Sequence, residues 1–185
     1  MNYRFTTIIL TVALLLVILV PSTQAAPLNP SDAAQVEVVA PAGDYDFTQH
    51  GTAWLREKNS NFTVFKQYGW GTFTTAKLAG SYWVHIPVPY PSVIAGSAMK
   101  IKYVEFCAQS SNGASTKPVT MDLWEYPGRF LTVNINWQAN NDKQCFGYTF
   151  PSPAFHQDLG ISVKLTYANT IDSITLYKAW VRVTP

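Results

Sequence analysis

The stretch MDLWEYPGRFLTVNINW, residues 121–137, alternates apolar and polar side chains on both sides of a Pro-Gly step. Alternation with a period of two is typical of β-strands that bury one face. The sequence therefore predicts an antiparallel hairpin. Its predicted inner face consists of apolar side chains: Val119, Met121, Leu123, Val133, Ile135 and Trp137. Its predicted outer face is aromatic and polar: Thr120, Asp122, Trp124, Tyr126, Phe130, Thr132, Asn134 and Asn136.

The loop of this hairpin decides which side chains face each other. A two-residue loop at Pro127 and Gly128 would set apolar side chains opposite polar ones, because a one-residue slip turns every side chain to the other face. A three-residue loop restores the agreement, and Gly128 suits its left-handed position. We predict this odd-length loop, in which Leu123 faces Leu131 or Val133 according to where the loop begins.

Short runs rich in Val, Ile, Thr, Tyr, Phe and Trp, separated by Gly, Asn, Pro and Ser, fill the chain from residue 35 onward. No window of useful length has helical periodicity. The predicted strands are 35–39, 46–55, 61–68, 71–78, 81–88, 99–108, 117–126, 130–138, 144–150, 161–167 and 171–183. This pattern predicts an all-β fold, a two-sheet antiparallel β-sandwich of jelly-roll type that forms a single domain over residues 35–185.

The last predicted strand changes phase near Tyr177 and Lys178. Its apolar side chains have one parity before this point and the opposite parity after it: Ile174 and Leu176, then Ala179, Val181 and Val183. A β-bulge, one extra residue in the strand, would keep both sets inward. We expect its neighbour in the sheet to be 161–167, with these side chains inward: Ile161, Val163, Leu165 and Tyr167.

In SYWVHIPVPYPSV, residues 81–93, a strand pattern runs into three prolines at alternate positions. The predicted core face is Tyr82, Val84, Ile86 and Val88. Proline lacks the N–H that a central strand needs, so we expect the strand to become an edge and to leave the sheet at Pro87. His85 is expected to be a surface residue beside Trp83.

Two stretches carry a resemblance. YWVHIPVPYPSVIAGSAMKIKYVEFCA, residues 82–108, resembles secreted bacterial β-sandwich proteins of unassigned activity, in which an apolar strand ends in a His-x-Pro-like step before a loop of small residues. VEVVAPAGDYDF, residues 36–47, is similar to the alanine- and proline-bearing opening of such proteins. The resemblance covers about half of the chain after the predicted leader. It implies a jelly-roll-like sandwich and supplies no catalytic residues.

The N-terminus has the order of a secretory signal: Arg4, an apolar run at 8–20, and small residues before a predicted cleavage site after Ala25. We therefore predict a signal peptide at 1–25 and a flexible leader at 26–34. An uncleaved membrane anchor is the alternative. After cleavage the protein would be secreted, extracellular or at the cell surface, or periplasmic in a Gram-negative host, and not integral to a membrane.

The charge balance argues against one class of partner, and the cysteine content predicts a covalent bond. The chain has 13 basic and 11 acidic residues, and without Arg4 the basic count falls to twelve, so it lacks the electrostatic footprint of a nucleic-acid-binding protein. In an exported chain the two cysteines, Cys107 and Cys145, are expected to form a disulfide. Separate buried thiols and a bond to another chain are the alternatives.

The predicted outer row suggests a ligand site. Sugars have apolar C–H faces that stack on aromatic rings and hydroxyls that bind amides and carboxylates. The candidate ligand-binding residues are Asp122, Trp124, Tyr126 and Asn134, together with Trp70 in the glycine loop YGWGTF at 68–73. The competing interpretation is that the outer aromatics cover neighbouring segments.

The sequence predicts a non-catalytic structural or surface-interaction protein, with a glycan or an envelope or extracellular protein as its partner. A carbohydrate-binding module-like protein is the alternative. A hydrolase is the second alternative, for which only His50, His85 and His156 could serve as bases. No cofactor is expected. Asp44 and Asp46 could hold Ca²⁺ through oxygen ligands, although a solvated turn is the preferred interpretation.

Overall fold

The computed structural model describes residues 43–156 and 158–185. The predicted signal peptide, the leader and the strand at 35–39 lie outside the described residues. The strands are β1 Tyr45–Gln49, β2 Leu55–Arg56, β3 Phe62–Tyr68, β4 Gly71–Ala76, β5 Gly80–Pro87, β6 Val93–Ile94, β7 Ser97–Ala98, β8 Lys100–Ser110, β9 Lys117–Glu125, β10 Gly128–Asn134, β11 Gln144–Ala154, β12 Gly160–Tyr167 and β13 Ser173–Thr184. Two 3₁₀ turns lie at Gly51–Ala53 and Asn59–Asn61.

All strands except β6 and β7, which pair with each other, form two antiparallel sheets, and this confirms the predicted β-sandwich. Sheet I has the order β11-β8-β13-β4-β3, and β1 also pairs with β13. Sheet II has the order β10-β9-β12-β5-β2. The pairs β4–β5, β8–β9 and β12–β13 each pass from one sheet to the other, which gives the jelly-roll winding. No helix within the described ranges is long and apolar enough to cross a membrane.

The core between the sheets is built from the side chains that the alternation predicts to be inward. Most of the predicted set is fully buried: Val84, Ile86, Val88, Met121, Leu123, Ile161, Val163, Leu165, Tyr167, Ile174, Leu176, Ala179, Val181 and Val183. Burial of one large apolar side chain contributes about 1.5–3 kcal/mol. The Tyr167 hydroxyl also forms a hydrogen bond of 2.6 Å with Thr74 Oγ1 on sheet I. Apolar packing and this hydrogen bond therefore both hold the two sheets against each other.

The predicted bulge in β13 is confirmed, and the structure shows its cause. The pairing of β13 with β8 shifts between Leu176 and Ala179. On the other edge of β13, β4 pairs up to Leu176 and β1 pairs from Ala179 onward. Trp54 Nε1 donates to the Tyr177 carbonyl at 2.7 Å, which fixes the bulge where the two neighbours meet. A Cβ added at Gly51 would lie 2.8 Å from that carbonyl carbon, so the approach requires glycine.

Two predictions about strand order are wrong. β12 does not pair with β13: it lies in sheet II between β5 and β9, whereas β13 lies in sheet I beside β8. The predicted strand at 46–55 is two strands, because β1 belongs to sheet I and β2 to sheet II. The buried Trp54 marks the crossing between them. Both errors arise because alternation gives the face of a strand but not its neighbour.

The hairpin loop also differs from its prediction. Gly128 faces Glu125 and Arg129 faces Trp124, so the loop itself holds only Tyr126 and Pro127, joined by a cis peptide bond. The extra residue is a bulge at Phe130, which packs against the core and not on the outer face. Leu123 therefore faces Leu131, as one of the two predicted registers has it.

Candidate functional site

The structure divides the candidate ligand-binding residues between two faces of the sandwich. Asp122, Trp124 and Asn134 lie on β9 and β10 of sheet II, and Tyr126 lies in the turn between these strands. Trp70 lies in the turn between β3 and β4 of sheet I. The five residues therefore do not form one site.

Asp122 is occupied by its own neighbours. Its side chain is only 2% exposed, and it accepts hydrogen bonds from Thr132 Oγ1 at 2.7 Å and from Arg129 Nη1 at 3.1 Å. A buried carboxylate needs such partners to offset its lost hydration. Asp122 thus stabilises the outer side of sheet II and leaves little capacity for a ligand.

Trp124 borders a shallow hollow on sheet II. The side chain is 40% exposed, and the hollow has a volume of about 440 Å³. The absence of a side chain at Gly160 opens the space beside Trp124 Cβ. The lining is mostly apolar: Leu55, His85, Ile86, Pro87, Trp124, Gly160, Ile161 and Ser162. Tyr126, 88% exposed, stands apart from this hollow in the hairpin turn.

His85 is more buried than predicted, since the sequence places it on the surface. It is half-buried between β12 and the short strand β2, and its Nδ1 is hydrogen-bonded to Ser162 Oγ at 2.7 Å. Burial lowers the pKa of His85, with a smaller opposing effect from the charge of Glu57. The expected departure of the strand at Pro87 is confirmed, because β2 pairs only with Val84 and His85 on that side.

A larger groove lies on the outer side of sheet I. We call it the Trp70 groove; its volume is about 620 Å³, and its lining is Tyr68, Trp70, Phe73, Gln109, Thr175 and Tyr177. Trp70 is 51% exposed and stacks on Tyr68, with ring centroids 4.9 Å apart and an angle of 5° between the planes. Across the groove the Tyr177 ring lies 6.2 Å away and is tilted by 43°.

The local backbone explains why Trp70 is uncovered. Tyr68 pairs with Gly71, so only Gly69 and Trp70 form the turn. A Cβ at Gly71 would overlap the backbone of Leu176, so this glycine lets β4 approach β13 closely. A Cβ at Gly69 would contact nothing, which leaves open space beside the indole ring.

Polar groups at the floor of the groove keep part of their hydrogen-bonding capacity. Gln109 Oε1 accepts from the Tyr177 hydroxyl at 2.7 Å, and Gln109 Nε2 donates to the Asn141 carbonyl at 2.9 Å. A glutamine amide has two donors and two acceptor positions, so one of each is left. Thr175 adds a hydroxyl opposite Gln109 in the neighbouring strand.

A second aromatic pair follows along the same face. Tyr103 and Trp180 have ring centroids 4.9 Å apart, and both donate to Glu105, from the hydroxyl at 2.8 Å and from Nε1 at 2.5 Å. Burial, followed by the hydrogen bond and the charge of Glu105, raises the pKa of Tyr103 to about 12. This tyrosine is therefore a fixed donor and not a base near neutral pH.

The predicted disulfide is present between the two aromatic regions. Cys107 on β8 faces Cys145 on β11, and their sulfurs are 2.02 Å apart. Glu105, Cys107 and Cys145 are close enough to resemble a metal-ligand group. Both sulfurs are bonded to each other, so this group offers no thiolate.

The two aspartates considered for Ca²⁺ are held in ion pairs. Asp44 contacts Lys102 at 2.8 Å, and Asp46 contacts Arg182 through both oxygens at 2.7 and 2.8 Å. Hydrogen bonds from Lys102 and Arg182 lower the pKa of Asp44 and Asp46, respectively. Both carboxylates are therefore engaged by cationic side chains, and Asp46 lies in β1 and not in a turn.

The histidines considered for catalysis have separate partners. His50 contacts Thr52, His85 contacts Ser162, and His156 Nδ1 lies 2.6 Å from Glu125 Oε2. The His156 ring also stacks on Phe130, with centroids 4.0 Å apart. Among residues 43–156 and 158–185, no hydrogen-bonded chain joins a hydroxyl, a histidine and a carboxylate, which is the arrangement a serine hydrolase uses.

The sequence identifies the loop at 68–73 but not the residues that complete the groove. Gln109, Thr175 and Tyr177 come from β8 and β13, far from Trp70 in the chain. Their outward direction follows from the alternation along these two strands, which is the available signal. Their position beside Trp70 depends on strand order, which the alternation does not provide.

No protein-family model matches the sequence, and no curated protein matches it. Among solved structures, the chain is similar to a low-affinity xylan-binding module of family 86 from Roseburia intestinalis, with 8% identity, a TM-score of 0.47, and coverage of 76% of this chain and 96% of that one. It is also similar to a family 29 carbohydrate-binding module from Piromyces equi (9% identity, TM-score 0.43, 74% and 90% coverage). A third is the C-terminal family 6 module of the laminarinase LamC from Zobellia galactanivorans (9%, 0.43, 77% and 100%). At these identities and TM-scores, the likenesses carry no argument about a ligand.

Proposed function

We propose that the protein is a non-catalytic carbohydrate-binding protein that acts outside the cytoplasm and holds a sugar in the Trp70 groove. The observation that carries the proposal is the half-exposed Trp70 ring, stacked on Tyr68 and facing Tyr177 across the groove. The cysteines and the N-terminal sequence support a place in an oxidising compartment.

The groove has both kinds of group that a sugar needs. The open area of the Trp70 ring can cover the apolar C–H face of a pyranose, because aromatic rings supply large apolar contact at small conformational cost. The spare donor and acceptor of Gln109 and the Thr175 hydroxyl lie on the same lining and can bind sugar hydroxyls. Tyr68 fixes the orientation of Trp70 by stacking on its other side.

Two of the sheet edges, β11 and β2, are poorly suited to the assembly function that the sequence predicts. An open edge recruits other strands only if its backbone groups are free and its strand is long. On sheet I, the edge strand β11 contains Pro151 and Pro153, which have no N–H to donate. On sheet II, the edge strand β2 has two residues. The opposite edge strands, β3 and β10, have seven residues each and no proline, so they remain candidates for strand addition. The preference for sugar binding therefore rests on the Trp70 groove and not on the sheet edges.

The test is affinity electrophoresis of the purified chain in gels that contain xylan, mixed-linkage β-glucan, galactan or polygalacturonate, supported by a glycan array. Trp70→Ala should weaken binding by about tenfold or more, as expected for a central aromatic contact. Trp124→Ala is the matched control, since Trp124 is a similarly exposed tryptophan on the other sheet, and it should bind like the wild type.

Near-ultraviolet circular dichroism should show that both variants keep the tertiary structure. Loss of binding in Trp124→Ala with retention in Trp70→Ala would move the site to sheet II. Failure of the wild-type chain to bind any polysaccharide or arrayed glycan would refute the proposal.

A further inference from the structure

Lysine side chains lie over the aromatic rings along the outer side of sheet I. Lys143 Nζ is 4.4 Å from the centroid of the Tyr177 ring, and Lys66 Nζ is 5.0 Å from that of Tyr68. Farther along β13, Lys178 Nζ is 5.9 Å from the centroid of the Trp180 ring. The Trp70 groove is thus flanked by ammonium groups at the rings that line it.

Within the part of the chain that the structure describes, these ammonium groups have no carboxylate partner. The ion pairs found among the described residues are Lys102–Asp44, Arg129–Asp122, Arg182–Asp46 and His156–Glu125, and none includes Lys66, Lys143 or Lys178. Asp142 precedes Lys143 in the chain but forms no ion pair with it.

Glu105, an acid on the same face, accepts hydrogen bonds from Trp180 and Tyr103 through its two oxygens. Farther along the same face, Lys102 and Arg182 each have an aspartate partner. The positive charge is therefore uncompensated at the Trp70 end and balanced at the other end. The whole chain has nearly equal numbers of basic and acidic residues, so this local excess is not a consequence of composition.

We propose that the Trp70 groove takes an acidic glycan, whose sugar units bear carboxylate or sulfate groups. This inference rests on the proposed function and names its ligand class. A sugar ring stacks on Trp70, and the anionic group of the same or the next unit accepts a hydrogen bond from Lys143 Nζ at the Tyr177 wall. Hydrogen bonds between ionised groups are shorter and stronger than neutral ones, which favours an anionic ligand over its uncharged counterpart.

The test compares each acidic polymer with an uncharged form of the same backbone. Polygalacturonate is compared with its methyl ester, and dextran sulfate with dextran, so the two pairs distinguish carboxylate from sulfate. We expect one acidic form to bind more tightly than its partner, and its affinity to fall as salt is raised, because ions screen exposed charges. Lys143→Gln should weaken acidic binding by about three- to tenfold and reduce the salt dependence.

The matched control is Lys164→Gln. Lys164 Nζ lies 5.9 Å from the centroid of the Trp83 ring on sheet II, so it has the same ring contact away from the groove, and its loss should change nothing. Equal affinity for the charged and uncharged forms, with both lost in Trp70→Ala, would overturn the acidic ligand and leave the proposed function intact. Acidic binding that survives Trp70→Ala would be non-specific ionic attraction and would also overturn the inference. No binding to either acidic polymer would overturn the inference, whereas the proposed function is overturned only if the chain also binds none of the other polysaccharides and arrayed glycans.

Discussion

Both sheets carry polar and aromatic side chains on their outer sides. The two sides differ in whether these side chains are already bonded to neighbours or are free to bind a ligand. On sheet II, Asp122 accepts from Thr132 and Arg129, and His85 pairs with Ser162, so polar groups bond to one another. On sheet I, the Trp70 ring is half open and Gln109 keeps a donor and an acceptor. The comparison shows that a polar or aromatic side chain on an outer face is a candidate for binding only when its neighbours leave it unsatisfied.

The sides also differ in how their strands are held. Sheet I has a disulfide between β8 and β11 and two ion pairs, Asp44–Lys102 and Asp46–Arg182, on its outer side. Sheet II relies on hydrogen bonds around a buried carboxylate. These differences predict distinct responses to substitution in the two sheets.

Removal of the disulfide on sheet I is expected to have the largest effect on stability. The double variant Cys107→Ala/Cys145→Ala opens a covalent loop with a sequence separation of 38. In the chain-entropy model this lowers the free energy of unfolding by about 3–4 kcal/mol. Urea denaturation followed by tryptophan fluorescence measures the change, and reduced wild-type protein should show a similar loss. A denaturation midpoint equal to that of the oxidised wild type would contradict the prediction.

Asp122→Ala tests whether the outer side of sheet II is structural. The substitution removes a charge-assisted network from a buried position, so we expect a loss of about 2 kcal/mol in the free energy of unfolding. The matched control is Asp46→Ala on sheet I, where both partners of the ion pair are exposed and a much smaller change is expected. Thermal denaturation followed by circular dichroism measures the change in stability of both variants. Equal effects of the two substitutions would remove the distinction between the sheets.

A smaller effect concerns the pH dependence at His85. Burial holds its pKa below the ordinary 6.5, so the unfolded chain binds more protons than the folded one just below that pH. The contribution of His85 to stability is therefore complete above about pH 6.5 and declines as the pH falls through the lowered pKa. His85→Gln should reduce this slope between pH 7 and about pH 5. An unchanged slope in urea titrations would show that other groups cause it.

Much of the fold was accessible from the pattern of apolar residues. The inward sets of β5, β12 and β13, the bulge at Tyr177 and the pairing of the two cysteines all follow from alternation and export. Within the candidate site, only the loop around Trp70 was accessible, because its tryptophan lies between glycines in the sequence. The structural role of Asp122 was not accessible, because its hydrogen-bond partners can be identified only when the register of the strands is known.

The sequence alone determined that this chain forms a β-sandwich, because a period of two in apolar side chains specifies which face of each strand is buried. The tertiary structure alone decided that β12 and β13 lie in different sheets, that β1 and β2 separate at Trp54, and that Tyr177 and Gln109 meet Trp70. Alternation is a local property of one strand. Strand order depends on contacts between residues far apart in the chain, which is why the groove appears only when the sheets are assembled.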